Sequence, residues 1–358
     1  MRRGIVALAA FGLVAAGGLT ACGDDDSGSK SDKPKIGVIL PDSKSSARWE
    51  TADRVYLEAA FKAAGVDYTI QNAQNDKNAF QTIADTMLAD GVTALMIVNL
   101  DSGSGKAVLD KAKQQGVPTI DYDRLTLGGS ASYYVSFDNV AVGKLQGEGL
   151  VKCLQGKTKP VVAYLNGSPT DNNATLFKQG YDSVLKPKFE SGEYTKGPEQ
   201  SVPDWDNAQG ATLFEQMMTQ TNGKIDGVLS ANDGLGNAAL TVLKKQQLNG
   251  KVPFTGQDAT VQGLQNILNG DQCMTVYKAV KKEADAAAGL AIGLAKGEKK
   301  DTGKTVKDTE GNRDVPAVLL DPVAITKANV KDVVADGYVK KEELCTAAFA
   351  AKCTEAGI

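Results

Sequence analysis

The strongest constraint on this 358-residue chain is an alternation of strand-like and helix-like segments that runs, breaks and restarts. "KIGVIL" (35–40) precedes an amphipathic stretch at 54–64; "DYTIQNA" (67–73) precedes one at 79–90; "ALMIV" (94–98) precedes one at 106–115; "VPTIDY" (117–122) closes the series. Short β-branched runs that each lead into a 3.6-residue period are strand–helix units, and their strands lie parallel with both faces covered. Gly65, Gly91 and Gly116 follow the three helical patterns by a residue or two, where a left-handed C-cap is needed. The pattern resumes with "VVAYL" (161–165) and helices near 174–185 and 208–219. "GVLSAN" (227–232), a helix at 235–246, "VPFTGQD" (252–258), a helix at 261–268 and "MTVYK" (274–278) follow. About 325 residues after Pro34 exceed the size at which one core keeps growing. The expectation is therefore an α/β fold of two doubly wound parallel-sheet domains with a cleft between them, and ligands of such sheets bind beyond the carboxyl ends of the strands.

The N-terminus sets the compartment. Arg2 and Arg3, an apolar run from Ile5 to Ala16 and Leu19-Thr20-Ala21-Cys22 make a secretory signal, with a small residue directly before a cysteine as in bacterial lipoproteins. The apolar run is too short to span a bilayer. Residues 1–21 are expected to be cleaved and Cys22 acylated, anchoring the protein on the outer face of the cell membrane. Residues 22–33, rich in Gly, Ser, Asp and Lys, cannot bury enough surface to fold and read as a tether.

Absences narrow the chemistry. The chain contains no histidine, which excludes serine and cysteine triads, HExxH zinc sites and histidine general bases. Besides Cys22 there are Cys153, Cys273, Cys345 and Cys353, none in a CxxC pair, so no zinc ribbon or thioredoxin motif is present. In an extracytoplasmic protein they suggest disulfides; Cys345 with Cys353 is the favoured pair, while Cys153 and Cys273 either pair or stay as thiols. "DSGSGKAVL" (101–109) fails as a phosphate loop, because Leu100 stands where the first glycine belongs and Ala107 where the Mg²⁺-binding hydroxyl belongs. The net charge of −3, with no basic stripe, makes nucleic acid an unexpected partner. No metal site, cofactor or catalytic residue is expected, and the body is expected to be a monomer.

Polar residues gather where the apolar runs end: "LPDSKSSARW" (40–49), "DYDR" (121–124), "NGSPTDNNA" (166–174), "SANDG" (230–234), "GQDA" (256–259) and "YK" (277–278). Any one of these residues is accounted for as a helix cap or turn former. Caps do not call for Arg124, Lys278 or tryptophan. Trp49 and Trp205 are the only tryptophans, one in each half, each in a polar neighbourhood. An indole face beside carboxylates, amides and guanidinium groups suits a sugar: the ring covers the C–H face, and charged groups bond hydroxyls that both give and accept.

"RW" at 48, "YDR" at 122, "SFDN" at 136, "GSPTDNNA" at 167, "SANDG" at 230, "GQDA" at 256 and "MTVYK" at 274 together resemble the type I periplasmic-binding-protein sugar receptors of ABC transporters, from Lys35 to about Leu344. The resemblance implies two lobes joined by three crossing strands, with residues 34–138 plus 276–320 in one and 139–275 plus 321–358 in the other. It implies hydrogen bonds to a monosaccharide from Arg48, Asp123, Arg124, Asn173, Asn232, Asp258 and Lys278, a sandwich between Trp49 and Trp205, and Asp171 in contact or just behind. Asp121, two residues before Asp123, is expected to support them. Lys278 and Asn173 stand where ribose receptors of the family carry Gln and Arg, which favours D-xylose; ribose, glucose or galactose are the alternatives. Delivery to a permease is implied, and a sugar-presenting sensor role is equally compatible. An extra residue between Gly37 and Arg48 unsettles Asp42 and Ser43 as contacts, and "ELCTAAFAAKCTEAGI" (343–358) extends past the usual end. A glycosidase using Asp121, Asp123 or Asp171 is the rival from another class, but no carboxyl is expected to be raised by apolar burial beside Arg124. A transcription regulator of similar fold would need an N-terminal helix-turn-helix, where this chain has its secretory signal.

Overall fold

In the first half, β1 (Lys35–Leu40), α1 (Arg54–Ala64), β2 (Asp67–Asn72), α2 (Lys77–Ala89), β3 (Ala94–Ile97), α3 (Ser102–Gln114), β4 (Thr119–Tyr122) and β5 (Tyr133–Phe137) follow one another in a computed structural model that describes residues 33–358. The expected secretory signal, the expected acylation at Cys22 and the expected tether up to Asp32 lie outside the described residues. The second half continues with α4 (Asn139–Cys153), β6 (Val161–Asn166), α5 (Asn172–Glu190), β7 (Thr195–Ser201), α6 (Asn207–Gln220), β8 (Gly227–Ser230), α7 (Asp233–Lys245) and α8 (Val261–Asn269). Then come β9 (Thr275–Tyr277), α9 (Val280–Ala295), β10 (Thr305–Asp308), β11 (Arg313–Leu320), β12 (Val323–Ile325), α10 (Val330–Ala335), α11 (Lys341–Leu344) and α12 (Ala350–Glu355).

The first sheet has the order β10-β11-β5-β4-β3-β1-β2 and is parallel except for the β10–β11 pair. Alternation along the strands sorts its core. Val38, Met96 and Ile120 pack with α1 and α9, while Ile39, Leu95 and Ile97 pack with α2 and α3. A second, parallel sheet, β7-β6-β8, is covered by α4 to α7. The chain passes between the two parts after β5, through β9 into α9, and between β11 and β12. The crossings are laced by Asp138 N–H donating to Leu320 O at 2.9 Å and by antiparallel pairing of β9 with β12.

The expected strand at 252–258 is reduced to one bridge, Phe254 to Val228. Pro253 has no N–H to continue a ladder, and Asp258 and Ala259 turn the chain at φ 96° and 50°. Two disulfides bind the surroundings of this segment. Cys153 at the end of α4 is joined to Cys273 just before β9, and Cys345 to Cys353 in the C-terminal helices that pack on α8.

Helices α4 and α5 approach through glycine. A Cβ on Gly143 would lie 1.9 Å from Phe177 O, and one on Gly180 would lie 2.1 Å from Val140 O. Both obstacles are backbone, so Gly143→Ala is expected to force the helices apart and cost about 3 kcal/mol of folding stability. Urea unfolding reads this directly, and an unchanged midpoint would contradict the packing described.

Candidate functional site

The side chains in question all sit just past strand ends. After β1, Asp42 accepts from the N–H groups of Lys44 (2.7 Å) and Ser45 (2.6 Å) and from the Ser45 hydroxyl (2.7 Å). This turn brings Ser45, Ser46, Arg48 and Trp49 over the sheet edge, so Asp42 shapes the loop and lines nothing. After β4, Asp123 takes φ 62° and turns the chain; its carbonyl accepts from the Ser136 hydroxyl (2.8 Å) and from Asn173 Nδ2 (3.0 Å). In the second sheet, Asp171 after β6 caps α5 by accepting from Asn173 N–H, and Asn232 after β8 caps α7 by accepting from Leu235 N–H. Capping and cleft lining are thus compatible roles for one residue. Trp205, after β7, lies with its ring across Gly167, where a Cβ would come within 2.0 Å of the indole. Its Nε1 donates to Asp171 Oδ2 at 3.1 Å.

All ten residues expected from the sequence (Arg48, Trp49, Asp123, Arg124, Asp171, Asn173, Trp205, Asn232, Asp258 and Lys278) line one cleft between the two sheets. None is more than 7% exposed. Ser45, Ser46, Phe177 and Gln257 line it as well. Of these, Ser45, Ser46 and Gln257 lie inside the strand-end motifs at 40–49 and 256–259 and were within reach of sequence reasoning. Phe177 reads from sequence as an ordinary core residue of α5.

The charges are paired across the cleft. Arg48 donates from Nε and Nη2 to Asp53 (2.9 and 2.8 Å), from Nη1 to Asp123 (3.1 Å) and from Nη2 to Glu283 (2.8 Å), with its guanidinium 4.4 Å from the Trp49 ring centroid. Arg124 meets Asp171 at 3.1 Å, and Lys278 lies 3.7 Å from Asp123 and 3.5 Å from Asp258. Burial by itself would raise the Asp123 carboxyl, but the charges of Lys278, Arg48 and Arg124 outweigh it and hold it below the usual carboxylate value. Asp53 and Glu283, which grip Arg48 from behind, were not foreseen; nothing in their sequence neighbourhoods marks them.

Asp121 corrects the expectation that it supports the cleft contacts from the same face, and the expectation that no carboxyl is raised by burial. It is fully buried and turned away, with both oxygens on Thr126 (N–H 2.9 Å, hydroxyl 2.7 Å), so it fastens the turn that carries Asp123 and Arg124. Burial pushes it up to about 7 against those hydrogen bonds. A carboxyl raised in the folded state stabilises the fold fully below about pH 4, and that contribution is lost as pH rises through about 7. Asp121→Asn is therefore expected to flatten the decline of melting temperature between about pH 4 and pH 8; a variant curve parallel to the wild type would count against this. Asp233 is likewise fully buried and outside the cleft, accepting from Thr260, Gln272 and Thr275 below the loop that bears Asp258. A glycosidase pair would need a protonated carboxyl facing the cleft. The raised Asp121 faces away, and Asp123 is held ionised.

The periplasmic binding protein domain matches residues 36–299. The chain belongs to the periplasmic-binding-protein family. It is 35% identical over 312 residues to the D-xylose-binding periplasmic protein of Escherichia coli (strain K12), covering 87% of this chain and 92% of that one. It is also 35% identical over 328 residues to the multiple sugar-binding periplasmic protein SbpA of Azospirillum brasilense, covering 86% and 90%. Among solved structures, a carbohydrate transporter solute binding protein from Chloroflexus aurantiacus in complex with D-glucose superposes with a TM-score of 0.79 at 27% identity, over 87% of this chain and 98% of that one. Periplasmic binding proteins bind solutes and are not enzymes, in keeping with a cleft that offers hydrogen bonds and stacking faces. Among the described residues of this periplasmic binding protein no helix is long and apolar enough to cross a membrane.

Proposed function

We propose that the protein is the lipid-anchored, extracytoplasmic receptor of a sugar ABC transporter, closing two lobes over one monosaccharide, with D-xylose favoured, and presenting it to the permease. The observation that carries this is the convergence of Trp49 and Trp205, one following each of the two large sheets, on a cleft whose lining is mostly charged, amide and hydroxyl groups. In this reading the indoles cover the two faces of a pyranose. Arg48, Asp123, Arg124, Asn173, Asn232, Asp258 and Lys278 bond its hydroxyl rim, and Asp171 orients Trp205 and Arg124. The lobes comprise residues 34–138 plus 276–320 and residues 139–275 plus 321–358; acyl chains on Cys22 hold the monomer at the membrane.

Selectivity follows from closure. Hydroxyls removed from water must each find a partner, and a buried group left unpaired costs about 1–3 kcal/mol. Closed lobes are the form a permease reads. D-xylose is supported by Lys278 and Asn173 and by the name of the E. coli relative; the A. brasilense relative, named for multiple sugars, supports a broader range as the second reading. A thermal-shift panel of D-xylose, D-ribose, D-glucose and D-galactose tests both. Xylose is expected to raise the melting temperature most, since ligand at about 100 times its Kd adds about 2.7 kcal/mol. No shift with any monosaccharide would sink the proposal.

Trp205→Ala is expected to weaken xylose by about 1–2 kcal/mol, by analogy with other ring contacts. The variant is also expected to lose most of the fluorescence response to sugar, and a full response from Trp49 alone would contradict the sandwich.

A further inference from the structure

Asn139 closes the "SFDN" motif at 136–139, opens α4 directly after the first crossing, and lines no part of the cleft. It is buried, and its Nδ2 donates to Asn173 Oδ1 at 2.9 Å, to the Tyr134 hydroxyl at 3.2 Å and to Ser136 Oγ at 3.4 Å. Those three side chains converge in turn on Asp123. The Asp123 carbonyl accepts from the Ser136 hydroxyl at 2.8 Å, from Asn173 Nδ2 at 3.0 Å and from the Tyr134 hydroxyl at 3.2 Å. Its Oδ1 accepts from Asn173 Nδ2 at 3.1 Å. One amide outside the cleft therefore stands behind both Asn173, which follows β6, and Asp123, which follows β4.

Hydrogen-bond chemistry fixes the direction of each of these bonds. The Asp123 carbonyl and carboxylate can only accept, so the Asn173 amide must face them with its nitrogen and turn its oxygen to Asn139. Each hydroxyl has a single proton, directed at the Asp123 carbonyl, and so accepts from Asn139. Asn139 is thus required to present nitrogen to three acceptors. It does so although its own Oδ1 is left buried without a donor among the described residues, a costly arrangement that turning the amide over would relieve only by setting oxygen against Asn173 oxygen. We propose that Asn139 is a positioning residue of the sugar site that acts through Asn173: by holding that amide with its nitrogen on Asp123, it sets the Asn173 oxygen and the Asp123 carboxylate where sugar hydroxyls meet them. The inference rests on the sugar-receptor reading above. Without the Asn139 donor, the Asn173 side chain loses its hold at Oδ1 and is free to rotate away from Asp123.

Calorimetry with D-xylose on Asn139→Ala, Asn173→Ala and the double variant tests this as a cycle. Asn139→Ala is expected to weaken the sugar about tenfold when Asn173 is present, and no more than about twofold in the Asn173→Ala background. A residue that only supports the fold would cost the same in both backgrounds. Equal losses overturn the inference, as does a folded Asn139→Ala protein of wild-type affinity. Should Asn139→Ala not fold, Asn139→Leu, which fills the space without a donor, takes its place in the cycle. Hydrogen exchange by NMR on the sugar-bound wild-type protein gives an independent answer: the Asn139 side-chain N–H pair is expected to exchange far more slowly than exposed asparagine side chains, and exchange at their rate overturns the inference. Wild-type protein that binds no monosaccharide overturns the sugar-receptor reading and this inference together; sugar binding with additive losses overturns this inference alone.

Discussion

Asp123→Ala is expected to weaken D-xylose binding by about 2–5 kcal/mol, because it strips a buried partner from charges that stay buried. Asp123 receives Arg48 at 3.1 Å and Asn173 Nδ2 at 3.1 Å and faces Lys278 at 3.7 Å. Removing it leaves two cations without their shared anion and the sugar hydroxyls in the proposed site without an acceptor. The backbone carbonyl of residue 123, held by Ser136 and Asn173, survives the substitution, so the turn itself is expected to persist. Calorimetry showing a loss of less than about tenfold would count against the placement.

Arg48→Ala is expected to cost about 3–5 kcal/mol of folding stability as well as measurable sugar binding, since breaking a buried ion cluster by removing one partner leaves uncompensated charge. Arg48 is 4% exposed, and the two aspartates it would abandon, Asp53 at 0% and Asp123 at 4%, are buried as well. The loss is expected to shrink as pH falls toward the ordinary carboxylate range, where protonation relieves the abandoned acids. Urea unfolding at neutral and acid pH checks both statements, and a neutral-pH loss below about 1 kcal/mol would show the cluster to be loosely held.

What could be read from sequence followed burial. Strands β1, β3, β4, β6 and β8 are apolar runs buried on both faces, and their helices carry clear amphipathic spacing and glycine caps. β7, "TKGPEQS", is a half-exposed edge strand with Pro198 inside it and no apolar alternation to betray it. β10 and β12, four and three residues long, are too short to show a period of two, and Pro316 interrupts the apolar run of β11. The cleft was legible because ligand-facing groups must stand at strand ends, and Trp49, Arg124 and Lys278 are residue types that caps do not use. Asp121 shows where that logic fails. A period of two places it beside Asp123, but the strand stops at Tyr122 and the positive φ of Asp123 reverses the face. Asp53 and Glu283 were invisible because their role depends on a guanidinium brought to them by the fold, 235 residues away in the case of Glu283.

A crystal structure of the protein with D-xylose tests the central claim most directly. The account predicts one pyranose between the Trp49 and Trp205 rings, its hydroxyls on Arg48, Asp123, Arg124, Asn173, Asn232, Asp258 and Lys278. Sugar bound elsewhere, or indoles turned out of the cleft with sugar present, would contradict it.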